Sequence, residues 1–233
     1  CISCDNESSK WTGKCVNCGE WNTVSERTVA KSSKNYISNS IKTPQLIGEI
    51  SGSKAERIHI NDQEFNRVIG NGLVKGSVIL LGGEPGIGKS TLTLKIALTL
   101  NEKVLYISGE ESNEQIKLRA TRIDLNNEKC YIYNETEVNT ILKTSDEVKP
   151  ELIIIDSIQT IHTQDIDAIP GSVSQIKHCA EQLIKYAKDR LIPIIIIGHI
   201  TKDGAIAGPK VLEHMVDTVL QFEGDKNHLY RLV

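Results

Sequence analysis

Nine consecutive residues, Gly83-Glu84-Pro85-Gly86-Ile87-Gly88-Lys89-Ser90-Thr91, have the spacing G-x-x-x-x-G-K-[ST] of a loop that cradles phosphate. Glycines let backbone N–H groups turn onto phosphate oxygens, a following helix adds the partial positive charge of its N-terminus, and Lys89 supplies a full one. Ser90 is then placed to set its hydroxyl on Mg²⁺, and a nucleoside triphosphate is the ligand such a loop demands. The flanking residues agree. Val78-Ile79-Leu80-Leu81 predicts a buried strand before the loop, and Leu92, Leu94, Ile96, Ala97, Leu98 and Leu100 predict a helix after it. A chance Gly-Lys-Ser turn has no need of that setting. Gly70-Asn71-Gly72 precedes a strand instead of following one, so it is not a dinucleotide fingerprint.

Three further strands are expected to end in reactive side chains. Leu152-Ile153-Ile154-Ile155-Asp156 is an apolar run closed by an acid. Alone, Asp156 would be an ordinary cap for the next turn; behind a phosphate loop it is the residue that holds the nucleotide's Mg²⁺. Val104-Leu105-Tyr106-Ile107 leads into Ser108-Gly109-Glu110-Glu111-Ser112, which puts two carboxylates at the sheet edge where open α/β folds bind ligands. One of them can orient or deprotonate an attacking water. Glu110 is the candidate, because a helix N-terminal acid is reason enough for Glu111. The run from Ile194 ends in Gly198-His199-Ile200-Thr201-Lys202, so His199 reaches the same edge as a candidate γ-phosphate sensor. Past it, the glycine-bearing loop 202–210 carries Lys202 and Lys210 and is expected to change shape with nucleotide state, as is loop 159–171. By themselves both are plain surface connections.

Cysteine spacing points to a second, separate chemistry. Cys1, Cys4, Cys15 and Cys18 form Cys-x2-Cys, a ten-residue spacer, then Cys-x2-Cys, the pattern of a short zinc ribbon. Four thiolates at about 2.3 Å from Zn²⁺ leave no open position, so the metal is structural. So small a segment has almost no core, and zinc binding, about 10–16 kcal/mol in small fingers, must supply its folding energy. Two disulfides are the alternative; a nucleotide-hydrolysing protein working in the reducing cytoplasm argues against them. Gly19 suits a knuckle turn with positive φ, whereas Asp5 at the matching place is a less comfortable choice. Trp11 and Trp21 either cover the metal or offer a stacking surface. Cys130 and Cys179 sit in apolar patterns and are expected to be small core residues.

The elements that must position these groups follow from composition and periodicity. The 233 residues, 39% hydrophobic, allow one good-sized domain and a small appendage. A net charge of -3 excludes a globally basic nucleic-acid coat, and no apolar run is long enough to span a bilayer. The expected division is a zinc finger over 1–24, a flexible linker rich in Ser, Lys, Asn and Thr over 25–54, and an ATPase domain over 55–233. Arg57-Ile58-His59-Ile60 predicts a short strand, and Val219-Leu220-Gln221-Phe222 joins the apolar runs. Unbroken runs imply strands buried on both faces, hence a mostly parallel sheet with helices on each side. The clearest helix covers residues 172–190, with Val173, Ile176, Ala180, Leu183, Ile184 and Ala187 along one face. The chain opens on Cys1 without Met and stops at Leu232-Val233 in an apparent strand, so both native ends are expected to lie beyond it.

Assembled, these residues resemble the RadA family, also called Sms, of bacterial recombination and DNA-repair ATPases built on the RecA fold. The likeness rests on the cysteine knuckles with Trp11-Thr12-Gly13-Lys14-Cys15 and Trp21-Asn22, on the phosphate loop, and on Ser108 through Ser112. Most specific is Gly198-His199-Ile200-Thr201-Lys202-Asp203-Gly204, continued by Ala207-Gly208-Pro209-Lys210-Val211-Leu212-Glu213-His214-Met215-Val216-Asp217. The resemblance implies a RecA-like core with a four-cysteine zinc ribbon, a homo-hexameric ring, and single-stranded DNA in its channel. It also implies ATP-driven branch migration or unwinding of recombination intermediates in cooperation with RecA. In it Glu110 takes the catalytic glutamate position and His199 the γ-phosphate-sensing position, while the loops flanking the long helix, with Lys202 and Lys210, line the DNA channel. The family's Lys-Asn-Arg-Phe-Gly motif and Lon-protease-like domain are expected after Val233, outside this chain. A DNA-dependent ATPase motor is therefore the leading expectation. A nucleotide-gated clamp or recombinase adaptor without motor activity is the alternative; a small-molecule kinase is third, for want of an acceptor-binding lid.

Overall fold

The computed structural model describes residues 4, 13–23, 44, 46–47, 56–199, 212–224 and the backbone of 231–232. The chain divides into two compact units, Cys1–Ser51 and Gly52–Val233. In the first, Lys14 and Trp21 form an antiparallel bridge. Backbone bonds from Cys15 N–H to Glu20, from Gly19 N–H to Cys15 and from Asn22 N–H to Gly13, each 2.9 Å, close a tight knuckle. Gly19 has φ +77°, the conformation that the turn after Cys18 requires.

In the second unit β1 (Arg57–Ile58) and β2 (Leu73–Val74) form a small antiparallel pair, with α1 (Gln63–Val68) between them. Asp62 caps α1 by accepting from Phe65 N–H at 3.0 Å. The strand expected over residues 57–60 is thus shorter and stands outside the main sheet. That sheet is assembled from β3 (Val78–Gly83), β4 (Val104–Ser108), β5 (Cys130–Tyr133), β6 (Leu152–Asp156), β7 (Ile194–His199), β8 (Thr218–Gly224) and β9 (Arg231–Leu232). Their spatial order is β5-β4-β6-β7-β3-β8-β9, all parallel except the antiparallel β8–β9 pair. The helices α2 (Lys89–Thr99), α3 (Asn113–Ile123), α4 (Val138–Val148) and α5 (Val173–Arg190) and the 3₁₀ turn Ile158–Thr160 fill the crossovers.

Because successive strand residues point to opposite faces, one strand feeds two cores. Leu80, Leu105, Ile107, Ile153, Ile155, Ile194 and Ile196 pack with Ile141 of α4 and Ile176, Ala180, Leu183 and Ala187 of α5. Ile79, Leu81, Val104, Tyr106, Ile154 and Ile195 pack with Leu94 and Ile96 of α2 and Ile116 of α3. Cys179 is buried in the first core, where burial pushes its thiol up to about 12. Burial likewise holds the half-buried Cys130 at about 11.

Two expectations are corrected. Val219-Leu220-Gln221-Phe222 is not a strand buried on both faces: Leu220 and Phe222 are buried, while Val219 is 41% exposed. With only the short β9 on its far side, β8 carries the alternating pattern of a sheet margin. Val173 is exposed at the first position of α5, before the buried stripe begins at Ile176.

Candidate nucleotide site

The phosphate loop follows β3, the strand between β7 and β8, and opens α2. Gly88 occupies the N-cap of α2 at φ 114°, ψ 12°, with no side-chain cap bond. Its left-handed backbone and that of Gly86, φ +75°, curl the loop. A Cβ at Gly86 would meet nothing within 4 Å, so backbone conformation and not crowding selects glycine there. The uncapped N–H groups of the first turn of α2 are a site for an anion. Lys89 is only 3% exposed; its Nζ donates to the carbonyls of Gly83 at 2.7 Å and Glu84 at 2.8 Å. Burial depresses its pKa, and the Asp156 and Glu110 carboxylates oppose that shift. Ser90 and Ile87 are partly exposed, and Glu84, Pro85 and Thr91 are exposed.

Asp156 ends β6, two strands from β3, and is 7% exposed. Its Oδ2 accepts the Tyr106 hydroxyl at 2.6 Å. Tyr106 lies in the neighbouring β4, and burial holds its hydroxyl pKa well above the ordinary value, so it stays a donor. The β4–β6 register pairs Ser108 with Asp156 and carries the next residues of both strands side by side. Glu110 Oε1 accepts from Ser157 Oγ at 2.8 Å and lies 3.2 Å from His199 Nε2. His199 arrives by the β3–β7 register, which sets it opposite Gly83. Glu111 faces elsewhere, in an ion pair with Arg119 of α3. The cap of α3 is Ser112, in a reciprocal box with Gln115.

Sequence reasoning passed over Tyr106 and Ser157. Each follows the pattern of a strand or its exit; only the pairing of β4 with β6 reveals their partners. The donors present suit a magnesium nucleotide: orphan helix N–H groups and an ammonium for phosphates, and a hydroxyl and a carboxylate, oxygens only, for Mg²⁺. Lys202 and Lys210 lie outside the described residues.

In the first unit the Sγ atoms of Cys4, Cys15 and Cys18 lie within 4.8 Å of one another, those of Cys4 and Cys15 3.7 Å apart. Backbone N–H groups of Cys18 and Asn17 directed at Cys15 lower its thiol to about 7, which favours the thiolate that binds metal. This soft, convergent donor set fits zinc. Cys1, the expected fourth ligand, and Trp11 lie outside the described residues.

A phosphate loop on a central parallel strand, with His199 ending the neighbouring strand, Asp156 ending the one beyond it and Glu110 just past the end of β4, defines a RecA-like P-loop ATPase fold. A family described as "AAA domain" matches residues 50–205, and one described as "Rubredoxin metal binding domain" matches residues 1–26. Proteins named "DNA repair protein RadA" are similar over 100% of this chain: 48% identical in Bacillus subtilis (strain 168), 49% in Listeria monocytogenes and 45% in Aquifex aeolicus. It covers 53%, 52% and 53% of them respectively, so the chain spans about half the length of the curated relatives it matches. A KaiC-like protein of Pyrococcus horikoshii OT3 shares the fold, with TM-score 0.61 at 17% identity over 76% of this chain and 86% of that one. The chain belongs to the AAA-domain ATPases and, among them, to the RadA family of DNA repair proteins.

Proposed function

We propose that this chain is the ATP-hydrolysing part of a DNA-dependent repair motor. The observation that carries the reading is the convergence of Lys89, Asp156, Glu110 and His199 on one carboxyl edge of the sheet. Lys89 exchanges the carbonyls of Gly83 and Glu84 for nucleotide phosphate oxygens, and the desolvated ammonium gains an anion. Ser90 and Asp156 hold Mg²⁺, which when bound neutralises the charge that develops on the phosphates. Glu110 takes up or orients the proton of the attacking water, and His199, touching Glu110, registers the γ-phosphate. Gly83, Glu84, Pro85, Gly86, Ile87, Gly88 and Thr91 shape the cradle. Cys4, Cys15 and Cys18, with Cys1 as fourth ligand, hold structural Zn²⁺ in the first unit.

The relatives' name supports DNA as the partner. Loop 159–171 carries Asp165 and Asp167 and neither Lys nor Arg, so phosphate neutralisation falls to Lys202 and Lys210 in the second loop. A homo-hexameric ring around single-stranded DNA, migrating branches or unwinding recombination intermediates alongside RecA, is the assembly this division of labour serves. No helix among the described residues is long and apolar enough to cross a membrane.

The test is ATP turnover by the complete protein against single-stranded DNA concentration at low salt. Stimulation by DNA is expected, together with loss of turnover by about 100-fold or more in Lys89→Ala, since a fixed charge on the transferring phosphoryl group is removed. Equal turnover with and without DNA overturns the motor. A strand-displacement assay on forked DNA separates a motor from a clamp, which binds the fork at saturating ATP and leaves its strands paired.

A further inference from the structure

We propose that Ser157 is a positioning residue for hydrolysis: its hydroxyl grips Oε1 of Glu110 so that Oε2 is presented to the attacking water. The inference rests on the reading of Glu110 as the group that prepares water. Ser157 is 0% exposed and its Oγ donates to Glu110 Oε1 at 2.8 Å. His199 Nε2 approaches the same oxygen at 3.2 Å, and Oε2 has no partner among the described residues. One carboxylate oxygen is thus held from two sides and the other is left for a ligand.

The mounting of Ser157 is firm. Its carbonyl accepts from Thr160 N–H at 3.2 Å and from Thr160 Oγ1 at 2.8 Å, closing the turn after β6. The strand exit that carries Glu110 lies directly on this turn. Gly109 N–H donates to the Asp156 carbonyl at 3.0 Å, and a Cβ on Gly109 would stand 2.1 Å from Thr160 Oγ1. Asp156 and Ser157 therefore present adjacent side chains from a single rigid corner, one to the metal and one to Glu110. Glu110 itself is 48% exposed, so water can satisfy its carboxylate without help. What the Ser157 bond adds is direction: an exposed glutamate left free spreads over several rotamers, and few of them aim an oxygen at one water.

The experiment uses the complete protein with single-stranded DNA. Ser157→Ala is expected to lower kcat about 10- to 100-fold, the effect of losing one hydrogen bond to a charged group. The KM for ATP, the affinity for a fluorescent ATP analogue and the Tm should stay near wild type, because the vacated carboxylate is solvated. In single-turnover measurements, Glu110→Gln is expected to be severely slowed, and adding Ser157→Ala to it should cost nothing further, since Ser157 acts only through Glu110. Wild-type kcat in Ser157→Ala overturns the proposal. So does an equal further loss in the Glu110→Gln background, or a fall in analogue affinity matching the fall in kcat, each the mark of a merely structural role. If Glu110→Gln alone keeps near-wild-type turnover, the reading of Glu110 as base fails first and the proposal falls with it.

Discussion

At the scale of single residues, the pair Glu110 and Glu111 shows what neighbours decide. As adjacent acids at one strand exit they are chemically alike. Their surroundings differ: Glu110 meets Ser157 and His199, whereas Glu111 is bound by Arg119. Glu110→Gln should lower kcat by about 100-fold or more while ATP still binds, the loss typical of a general base. Glu111→Gln should leave kcat within about threefold and cost about 1 kcal/mol of stability, the scale of a partly exposed ion pair. Steady-state kinetics with a thermal melt of each variant checks both; a reversed order makes Glu111 the base. The phosphate loop was legible in the sequence because its chemistry lies in contiguous residue types. Tyr106 and Ser157 were not, because the meaning of each comes from a residue about fifty positions away, brought adjacent by strand register.

At the scale of elements, the corner formed by the exits of β4 and β6 matters as much as any side chain on it. Gly109 is where the two exits come closest: an added Cβ would fall 2.5 Å from the Thr160 Cβ and 3.0 Å from Thr136 Cγ2 as well as against Thr160 Oγ1. A rotamer change moves the hydroxyl but not the Thr160 Cβ, so the backbone must give. Gly109→Ala should therefore destabilise by about 1–3 kcal/mol, the cost of overpacking, and lower Tm by several degrees. It should also lower kcat with Glu110 still present, since the carboxylate moves off Ser157. Unchanged Tm and kcat, measured together, would show that the corner relaxes freely. The central strands were legible for a related reason. Ile153, Ile154 and Ile155 face two cores and leave an unbroken apolar signal, and the same holds for Ile194 through Ile197. Half-buried β5 and alternating β8 lie toward the sheet's margins, where solvent dilutes that signal, so the sequence does not mark β5 and makes β8 read as an interior strand.

At the scale of the whole molecule, two compact units obtain their stability from different sources. The second buries apolar side chains on both faces of a seven-stranded sheet. In the first, Cys15 is the one hydrophobic residue buried among those described, Val16 is exposed, and Trp21 is 70% exposed with the Lys14 ammonium 5.7 Å from its ring. With so little apolar burial among the described residues, metal is expected to supply the folding energy, and its removal should distinguish the two units experimentally. Both tryptophans of the chain, Trp11 and Trp21, fall in the first unit, so tryptophan fluorescence reports that unit alone. Lys89 falls in the second, so stabilisation by ATP reports the other. Zinc content by metal analysis is expected to be one ion per chain. A chelator strong enough to remove it should collapse tryptophan anisotropy, because a structural zinc site's binding energy is its folding energy. With the chelator removed and Mg²⁺ restored, the ATP-dependent rise in Tm should survive zinc loss and vanish in Lys89→Ala, for a ligand stabilises only the fold that binds it. Anisotropy unchanged after verified zinc loss would mean that the first unit folds without metal. Loss of the rise after zinc removal, with Mg²⁺ restored, would mean that nucleotide binding by the second unit depends on the metal of the first.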